Sequence, residues 1–289
     1  MIRIGVIGYG YWGPNLVRNF YETPGVEVAR VSDLRAERLK LVQSRYPTVE
    51  VTENQRELVE DPAIDAVAIA TPVSTHYDLA LRALQAGKHV FVEKPLAATA
   101  EQVRRLIDAA EKARRVLMVD HTFVYTGAVR KIRELVDDGS LGEIYYYDST
   151  RVNLGLFQHD VNVIWDLAVH DLSIMDHVMP AAPVAVSATG LSHVEGSAEN
   201  VAFLTLFFDG PQIAHLHVNW LAPVKVRRTL IGASKKMIVY DDIEQSEKIK
   251  VYDKGITLNR KTDPAEKMYQ VLVGYRTGDM LAPKLDMTE

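Results

Sequence analysis

Residues 1–122 alternate short apolar runs with amphipathic segments. The apolar runs are mostly unbroken, which is typical of strands that are buried on both faces. Strands that alternate with helices predict crossover connections and a parallel sheet covered on both faces. The predicted strands are Ile2–Ile7, Val26–Val31, Val49–Thr52, Ala66–Ala70, His89–Val92 and Val116–Val119. The predicted helices are Tyr11–Tyr21, Ala36–Tyr46, Glu53–Val59, Thr75–Ala86 and Ala100–Arg114.

The pattern changes near His121–Thr126, where we place the boundary between two domains, 1–122 and 123–289. Beyond it, strand-like runs follow one another, and this succession predicts antiparallel pairing. One strong helix, Val163–Met179, interrupts the runs, and a shorter helix, Val129–Val136, precedes them. The predicted strands are Ile144–Val152, Val184–Thr189, Val201–Phe208, Gln212–Leu221, Val226–Ile231 and Lys236–Tyr240.

Composition narrows the class of protein. The chain has 289 residues, of which 47% are hydrophobic, and a net charge of −5, which does not favour nucleic acid or an anionic membrane as a partner. It has no cysteine, so thiolate catalysis, disulfides and cysteine metal sites are excluded. The N-terminal residues read as a strand rather than a leader, and no stretch approaches the length of a membrane span. We therefore expect a cytoplasmic enzyme.

A glycine-rich loop follows the first predicted strand. Gly8, Gly10 and Gly13 fit the pattern G-x-G-x-x-G where a strand passes into a helix. The glycines permit a tight turn and a close approach to a pyrophosphate, which the helix N-terminus attracts. Asp33 ends the second strand, where a carboxylate accepts hydrogen bonds from an adenosine ribose. These residues predict a dinucleotide site that favours NAD, although the nearby Arg35 leaves NADP open; the alternative is a structural turn with Asp33 as a helix cap.

Polar residues also follow two later strands. Thr71 and Pro72 end the fourth predicted strand, and Glu93 and Lys94 end the fifth. Ligands of open parallel sheets bind outside the carboxyl ends of the strands, so we expect these residues and His76 near the nicotinamide end of the cleft. The bond from Lys94 to the following proline is a candidate for the cis form. From position alone, an ordinary surface lysine is an equal alternative.

The strong helix of the second domain carries an acid and a histidine. Asp166 and His170 are four residues apart, so they share a helical face with Ser173 and His177. A histidine held by a carboxylate is a competent general base near neutral pH. The alternative is a solvated polar stripe. Asp171 falls within the apolar arc, so we expect it to need a buried donor and to have a structural role.

Two histidines alternate on one predicted strand. His215, His217 and Asn219 share one face of the sheet. Histidines at this spacing can bind a metal, but no third ligand has an obvious place beside them. We therefore expect no metal site, and interpret this face as an open polar surface or an oligomer interface.

Together these motifs resemble the glucose–fructose oxidoreductase / inositol dehydrogenase / MocA (Gfo/Idh/MocA) family. The resemblance covers essentially the whole chain and rests on Gly8-x-Gly10-x-x-Gly13, Asp33, Glu93-Lys94-Pro95 and Asp166-x-x-x-His170. It implies an α/β protein: a Rossmann domain with a doubly wound parallel sheet, then an α/β domain with a large, open-faced, mostly antiparallel sheet. It also implies a homodimer or homotetramer formed through that sheet. Similar proteins continue into a closing helix, whereas this chain stops at Glu289, so we expect a short second domain.

The resemblance further implies an NAD(P)-dependent oxidoreductase that transfers a hydride between the nicotinamide and a carbinol carbon of a sugar. In this reading His170 takes the hydroxyl proton, Asp166 orients the imidazole, and Lys94 donates a hydrogen bond to the reacting oxygen. The segments 11–15 and 163–171 are similar to family members that act on C3 of a nucleotide-linked hexose in bacterial surface-sugar biosynthesis. The alternatives are an inositol or free-sugar dehydrogenase, and a catalytically silent dinucleotide sensor. The expected cofactor contacts are Gly8, Gly10, Tyr11, Trp12, Gly13, Asp33, Arg35, Thr71, Pro72, His76, Glu93 and Lys94.

Substrate contacts are less specific. Besides Lys94, Asp166 and His170, we expect Arg151 and Asn153 to line the sugar pocket. A third candidate of the same segment is His159, and a diphosphate could meet Arg227 and Arg228. Solvated strand charges are the alternative for these arginines.

Overall fold

The computed structural model describes residues 1–155, 157, 160–258 and 273–286. It divides the chain into two compact units, Met1–His121 (unit 1) and Thr122–Glu289 (unit 2), one residue from the expected boundary. His159, a candidate substrate contact, lies outside the described residues. In the part of the chain that the structure describes, no helix is both long enough and apolar enough to cross a bilayer.

Unit 1 contains a six-stranded parallel sheet with helices on both faces, as the alternating pattern predicted. The strand order is β3-β2-β1-β4-β5-β6, so the order reverses between β1 and β4, where ligands of such sheets bind. The strands are β1 (Ile2–Ile7), β2 (Val26–Ser32), β3 (Glu50–Thr52), β4 (Ala66–Ile69), β5 (His89–Val92) and β6 (Leu117–Val119). The helices are α1 (Gly13–Glu22), α2 (Ala36–Arg45), α3 (Arg56–Glu60), α4 (Val73–Gln85) and α5 (Ala100–Ala113).

Two hydrophobic clusters hold this sheet between its helices. One packs Leu16 and Val17 of α1 and Val42 of α2 against one face. The other packs α3, α4 and α5 against the opposite face and includes the fully buried Leu84 and Leu106. Burial on both faces explains why the strands read as continuous apolar runs.

The first helix begins two residues later than predicted. Tyr11 and Trp12 lie outside it, and α1 begins at Gly13. Pro14 occupies the first turn, where its missing N–H costs no helical hydrogen bond. The later start leaves Tyr11 and Trp12 in the loop, 76% and 48% exposed, beside the glycines.

Unit 2 contains an eight-stranded sheet in the order β16-β13-β12-β11-β7-β10-β9-β8 and a two-stranded sheet, β14-β15. β10 pairs with β7 in parallel, and the other described pairs are antiparallel, which confirms the mostly antiparallel sheet. The longer strands are β7 (Ile144–Leu154), β8 (Pro183–Leu191), β9 (Val201–Phe208), β10 (Ile213–Asn219) and β11 (Leu221–Ala233). The shorter strands are β12 (Met237–Asp241), β13 (Ile249–Tyr252), β14 (Gly255–Leu258), β15 (Val273–Arg276) and β16 (Met280–Leu281).

Two helices, α6 (Gly127–Asp137) and α7 (Val169–Val178), pack on one face of the large sheet. A 3₁₀ turn, Thr122–Tyr125, precedes α6, and a π-helical segment, Ile164–Ala168, precedes α7. The prediction of one α-helix over Val163–Met179 was therefore wrong at its start. A π-helical turn holds an additional residue, and such turns are frequent at functional sites. A simple apolar periodicity does not reveal them.

The other face of this sheet is open. Along β10, Ala214, Leu216 and Val218 are buried in the core, whereas His215 and His217 alternate with them on the opposite face. The shared face predicted for these histidines is confirmed.

Candidate active site

The glycine loop of unit 1 is shaped by two close backbone approaches. Gly8 has φ +97°, and a Cβ there would lie 2.5 Å from the carbonyl oxygen of Ala70. A Cβ on Gly13 would lie 2.2 Å from the carbonyl oxygen of Gly8. Gly10, by contrast, has open space around it apart from an Arg35 nitrogen at 3.7 Å. α1 begins without a side-chain cap directly after this loop, and the N-terminus of a helix in this position attracts a phosphate group.

Asp33 lies just beyond β2 and is nearly buried. Its Oδ2 accepts from the Tyr9 amide at 2.8 Å, and its Oδ1 accepts from the Arg35 amide at 2.9 Å and from Arg35 Nε at 3.1 Å. Burial by itself raises the pKa of Asp33, but the hydrogen bonds from Arg35 and Tyr9 outweigh it and lower the pKa. The carboxylate is therefore ionised at neutral pH and fits a ribose diol. Arg35, the residue that kept NADP as an alternative cofactor, donates from its guanidinium to this carboxylate.

The strand-end loops after β4 and β5 are tied together by His76. Its imidazole is 1% exposed, and its two nitrogens lie 2.9 Å from the Pro95 carbonyl oxygen and 2.8 Å from the Thr71 carbonyl oxygen. His76 therefore links the two loops that carry candidate groups, and its contact with the cofactor stays a prediction. Thr71 and Pro72 remain at the surface of their loop. The peptide bond between Lys94 and Pro95 is cis.

Four titratable groups lie together at the carboxyl ends of β5 and β6. Val92 and Val119 are register partners, so the residues that follow them, Glu93 and Asp120, are side by side. Burial, the neighbouring Asp120 charge and a hydrogen bond with Asp120 raise the pKa of Glu93 to about 8, whereas Lys94 opposes the shift. Burial also lowers the pKa of His121, which follows Asp120, and the charge on Lys94 lowers it further.

This cluster includes residues that the sequence analysis missed. Lys94 is half-buried beside the Glu93 carboxyl, whose pKa is raised to about 8 mainly by burial, and beside His121, whose pKa is lowered mainly by burial. Glu93, an expected cofactor contact, is buried, and that contact stays a prediction. The signal for Asp120 and His121 was available, because they end a parallel strand just as Thr71 and Glu93 do.

In unit 2, the carboxylate of Asp166 is held from outside its own helix. Its Oδ2 accepts a hydrogen bond of 3.0 Å from Nε1 of Trp220, a side chain that is 1% exposed. Asn162 accepts hydrogen bonds from the first amides of the π-helical segment through its side chain. Trp220 was not predicted as a site residue. It follows a strand of alternating histidines, a pattern that does not indicate which residue it faces.

Asp171 has the buried donors that we expected. Arg151 donates to both of its carboxylate oxygens, at 2.7 Å and 3.2 Å, and Ser149 donates at 2.9 Å. Both ionic side chains are 3% exposed. The structure therefore places Arg151 in a buried ion pair, and its contact with a substrate stays a prediction. Asn153, two residues along β7, is half-buried.

The two further arginines differ. Arg227 donates to Asp242 at 3.0 Å and is half-buried. Hydrogen bonding and charge from Arg227 and the charge of Lys248 lower the pKa of Asp242, although its burial opposes the shift. Arg228, one residue along β11, is exposed, which agrees with a solvated strand charge.

The open face of the large sheet carries the two alternating histidines. Phe203 stacks on His217, with ring centroids 4.5 Å apart, and His217 Nε2 lies 2.9 Å from Asn219 Nδ2. His215 Nδ1 lies 3.5 Å from Asp148 Oδ1. Among the residues that the structure describes, no three histidine, aspartate or glutamate side chains cluster as metal ligands.

The fold and these groups define the class of protein. Residues 2–121 match the model of an oxidoreductase family with an NAD-binding Rossmann fold, GFO_IDH_MocA, and residues 129–239 match the model of the C-terminal domain of the same family. The chain belongs to the Gfo/Idh/MocA family of oxidoreductases. The family resemblance and the Rossmann domain inferred from the motifs are thus confirmed.

Several oxidoreductases are similar to this protein over most of its chain. The uncharacterized oxidoreductase YdgJ of Escherichia coli (strain K12) is 31% identical over 86% of this chain and 74% of its own. The scyllo-inositol 2-dehydrogenase (NADP(+)) IolW of Bacillus subtilis (strain 168) is 30% identical over 83% of this chain and 69% of its own. The solved structure of UDP-N-acetylglucosamine 3-dehydrogenase GnnA from Acidithiobacillus ferrooxidans has a TM-score of 0.77 and 27% identity, and covers 87% of this chain and 80% of its own.

Proposed function

We propose that this protein is an NAD(P)-dependent dehydrogenase that oxidises a secondary alcohol of a sugar, specifically C3 of a nucleotide-linked hexose. The proposal rests on Lys94 in unit 1 and on Asp166 and His170 in unit 2. A family of dinucleotide-binding oxidoreductases supplies the reaction class. A protein that only senses a dinucleotide needs none of these three side chains.

The cofactor is held by unit 1. The amides of the glycine loop and of the α1 N-terminus receive the pyrophosphate, and Asp33 receives the adenosine ribose. Arg35, which donates to Asp33, would be the partner of the 2′-phosphate if NADP were bound. Bound NAD(P) supplies the oxidising group of the reaction.

The remaining chemistry belongs to side chains of this chain. His170 accepts the proton of the reacting hydroxyl, and Asp166 fixes the imidazole and stabilises its charged form. The Lys94 ammonium donates a hydrogen bond to the same oxygen and stabilises the charge that develops there. Tyr11 and Trp12, exposed in the glycine loop, contribute apolar surface at the rim of the cofactor site.

One observation favours the nucleotide-linked substrate. UDP-N-acetylglucosamine 3-dehydrogenase of Acidithiobacillus ferrooxidans is 29% identical over 88% of this chain and 78% of its own length, so the similarity includes both units. The matching solved structure extends over a similar share of both chains. The inferred sugar nucleotide therefore rests on the substrate-binding half as well as on the Rossmann half.

An inositol is the second candidate substrate. The scyllo-inositol dehydrogenase of Bacillus subtilis is as similar in identity, but it matches a smaller share of its own length. A cyclitol presents the same secondary alcohol to the same three groups. It lacks a diphosphate, so the two candidate substrates differ in charge as well as in size.

The experiment is a substrate panel followed by the absorbance of reduced nicotinamide. The purified protein is mixed with NAD or NADP and with UDP-N-acetylhexosamines, UDP-hexoses, free hexoses or inositols. We expect absorbance to grow with a UDP-linked sugar, and carbon NMR of the product to show a ketone at C3. Growth with an inositol alone would replace the substrate assignment. Tight NADH binding with no turnover of any alcohol, and no oxidation of NADH by the corresponding ketones, would make the protein a sensor.

We also propose that the open face of the large sheet is an interface between copies of this chain. Apolar side chains on that face remain exposed, including Phe203 at 43%, Phe207 at 42% and Ile213 at 43%. An exposed apolar patch of this kind is typical of an association surface. Light scattering, which measures the molar mass in solution, tests this proposal on the wild type and on Phe207→Asp. The variant is expected to have a smaller molar mass than the wild type, and a monomeric wild type would contradict the proposal.

A further inference from the structure

Phe123 lies in the 3₁₀ turn that opens unit 2, and three side chains surround its ring. The guanidinium carbon of Arg151 is 4.6 Å from the ring centroid, and that of Arg227 is 5.7 Å from it. The imidazole of His170 meets the same ring with centroids 4.9 Å apart and planes at 74°. One half-buried phenyl ring thus connects two cations of the sheet to the histidine of α7.

Both cations are themselves fixed. Arg151 is buried and donates twice to Asp171, and Arg227 donates to Asp242. Arg151 and Arg227 are register partners on the adjacent strands β7 and β11, so their positions are set by the ladder of the sheet. A guanidinium near the face of an aromatic ring attracts it electrostatically. The ring is therefore held by two anchored charges rather than by apolar packing alone.

The contact with His170 makes this arrangement more than a core feature. A ring whose position is fixed restricts the rotamers of the imidazole that packs against it at a steep angle. Asp171, the residue after His170, is the carboxylate that anchors Arg151. The same ion pair therefore fixes the helix backbone beside His170 and the cation that holds Phe123.

We propose that Phe123 is a positioning residue for His170: the ring, held by the guanidiniums of Arg151 and Arg227, keeps the imidazole in the orientation that accepts a proton. The inference rests on the proposed function, because it assigns Phe123 its effect through His170. An apolar residue without a ring fills part of the space but is not attracted by the cations and does not hold the imidazole edge.

Kinetics with three variants test the proposal. Phe123→Leu should lower kcat about ten- to hundredfold, since small displacements of a reacting group cost that much, with the KM of the cofactor unchanged. Phe123→Tyr keeps the ring and should stay within about threefold of the wild type. Tyr125→Leu is the matched control, because Tyr125 lies in the same turn and is 54% exposed; its kcat should not change. The solvent deuterium isotope effect on kcat should increase in Phe123→Leu, because proton transfer becomes slower.

A turnover-free measurement separates this inference from the proposed function. Carbon–proton spectra of the protein with labelled histidine give a His170 ring signal, assigned by its loss in His170→Asn. We expect that signal to shift and broaden in Phe123→Leu but to stay sharp in Phe123→Tyr. A sharp His170 signal in Phe123→Leu, wild-type kcat in that variant, or an equal loss in Phe123→Leu and Phe123→Tyr would each overturn the inference. Full turnover in His170→Asn would instead remove the proposed role of His170.

Discussion

The two units hold their candidate groups by different means. In unit 1, Asp33, Lys94 and their neighbours lie on loops at strand ends, and the backbone decides where those loops run: Gly8 at φ +97° and the register of the parallel strands. In unit 2, Asp166 and His170 lie on a helix, and side chains from other elements fix them. Trp220 donates a hydrogen bond to Asp166, and the ring of Phe123 packs against His170. Strand-end sites therefore depend on glycine and register, whereas a helical site depends on what packs around it.

The largest expected effect tests whether both units contribute to one reaction. Lys94→Ala and His170→Asn should each lower kcat by about two to four orders of magnitude, since each removes a group that we propose to act on the reacting oxygen. The affinity for NADH, measured by fluorescence titration, should change little. Lys112→Ala, on exposed α5, and His177→Asn, on the same stripe as His170, are the matched controls. Wild-type turnover in either active-site variant would contradict the role of its residue.

The next effect concerns the buried ion pair of unit 2. Arg151→Met leaves the Asp171 carboxylate buried without its partner, which should lower the free energy of unfolding by about 3–5 kcal/mol. The double variant Arg151→Met/Asp171→Leu removes both charges and should recover most of that loss. Urea unfolding of the three proteins measures both. Equal stability of the single and double variants would show that Asp171 finds another partner.

A smaller effect should distinguish the hydrogen bond of Trp220 from its packing in the core. Trp220→Phe keeps an aromatic ring but removes the N–H that donates to Asp166, so we expect kcat to fall about tenfold to a hundredfold with little change in cofactor KM. In an Asp166→Ala background the same substitution should have no further effect on kcat. Additive losses would mean that Trp220 affects kcat independently of its hydrogen bond to Asp166.

Cofactor choice tests the strand-end loops of unit 1. Arg35→Ala should weaken NADP binding about tenfold and change NAD binding by no more than a few fold. In our proposal the guanidinium binds the 2′-phosphate of NADP, whereas with NAD it only donates a hydrogen bond to Asp33. Asp33→Ser should weaken NAD binding by a similar factor. Calorimetric titration with both cofactors measures the four affinities. Unchanged preference in both variants would remove Asp33 and Arg35 from the ribose site.

The last prediction concerns the pH dependence of stability. The pKa of Glu93 is raised from 4.5 to about 8 in the folded protein, mainly by burial. The folded state therefore holds this proton more tightly than the unfolded state, so stability is greatest below the ordinary pKa and is lost as pH rises through about 8. Glu93→Gln removes that loss. Its melting temperature relative to wild type should increase between about pH 5.5 and pH 9. The exposed Glu111→Gln should show no such trend, and a pH-independent difference for Glu93→Gln would contradict a raised pKa.

The sequence alone determined the order of the strands from β1 to β12 and the family, whereas the strands from β13 to β16 were not predicted. Unbroken apolar runs predicted the parallel sheet, because a strand covered on both faces has no polar side. Alternation along β10 predicted that the second sheet has one buried face and one open face. Gly8, Asp33, Lys94 and His170 were visible because their chemistry is tied to local motifs: a turn, a strand end, a helical spacing. The position of Asp171 within the apolar arc of its helix was enough to predict that it has a buried hydrogen-bond donor.

Only the tertiary structure decided which side chains meet across large separations in sequence. Arg151 pairs with Asp171 because β7 runs beneath α7, a contact between residues 20 positions apart. His76 lies between two carbonyl oxygens that come from different loops. Phe123 and Trp220 carry no motif, since an aromatic residue at a turn or a strand end fits many surroundings. Periodicity reports which side of an element is buried, but it cannot report what lies on the other side of the contact.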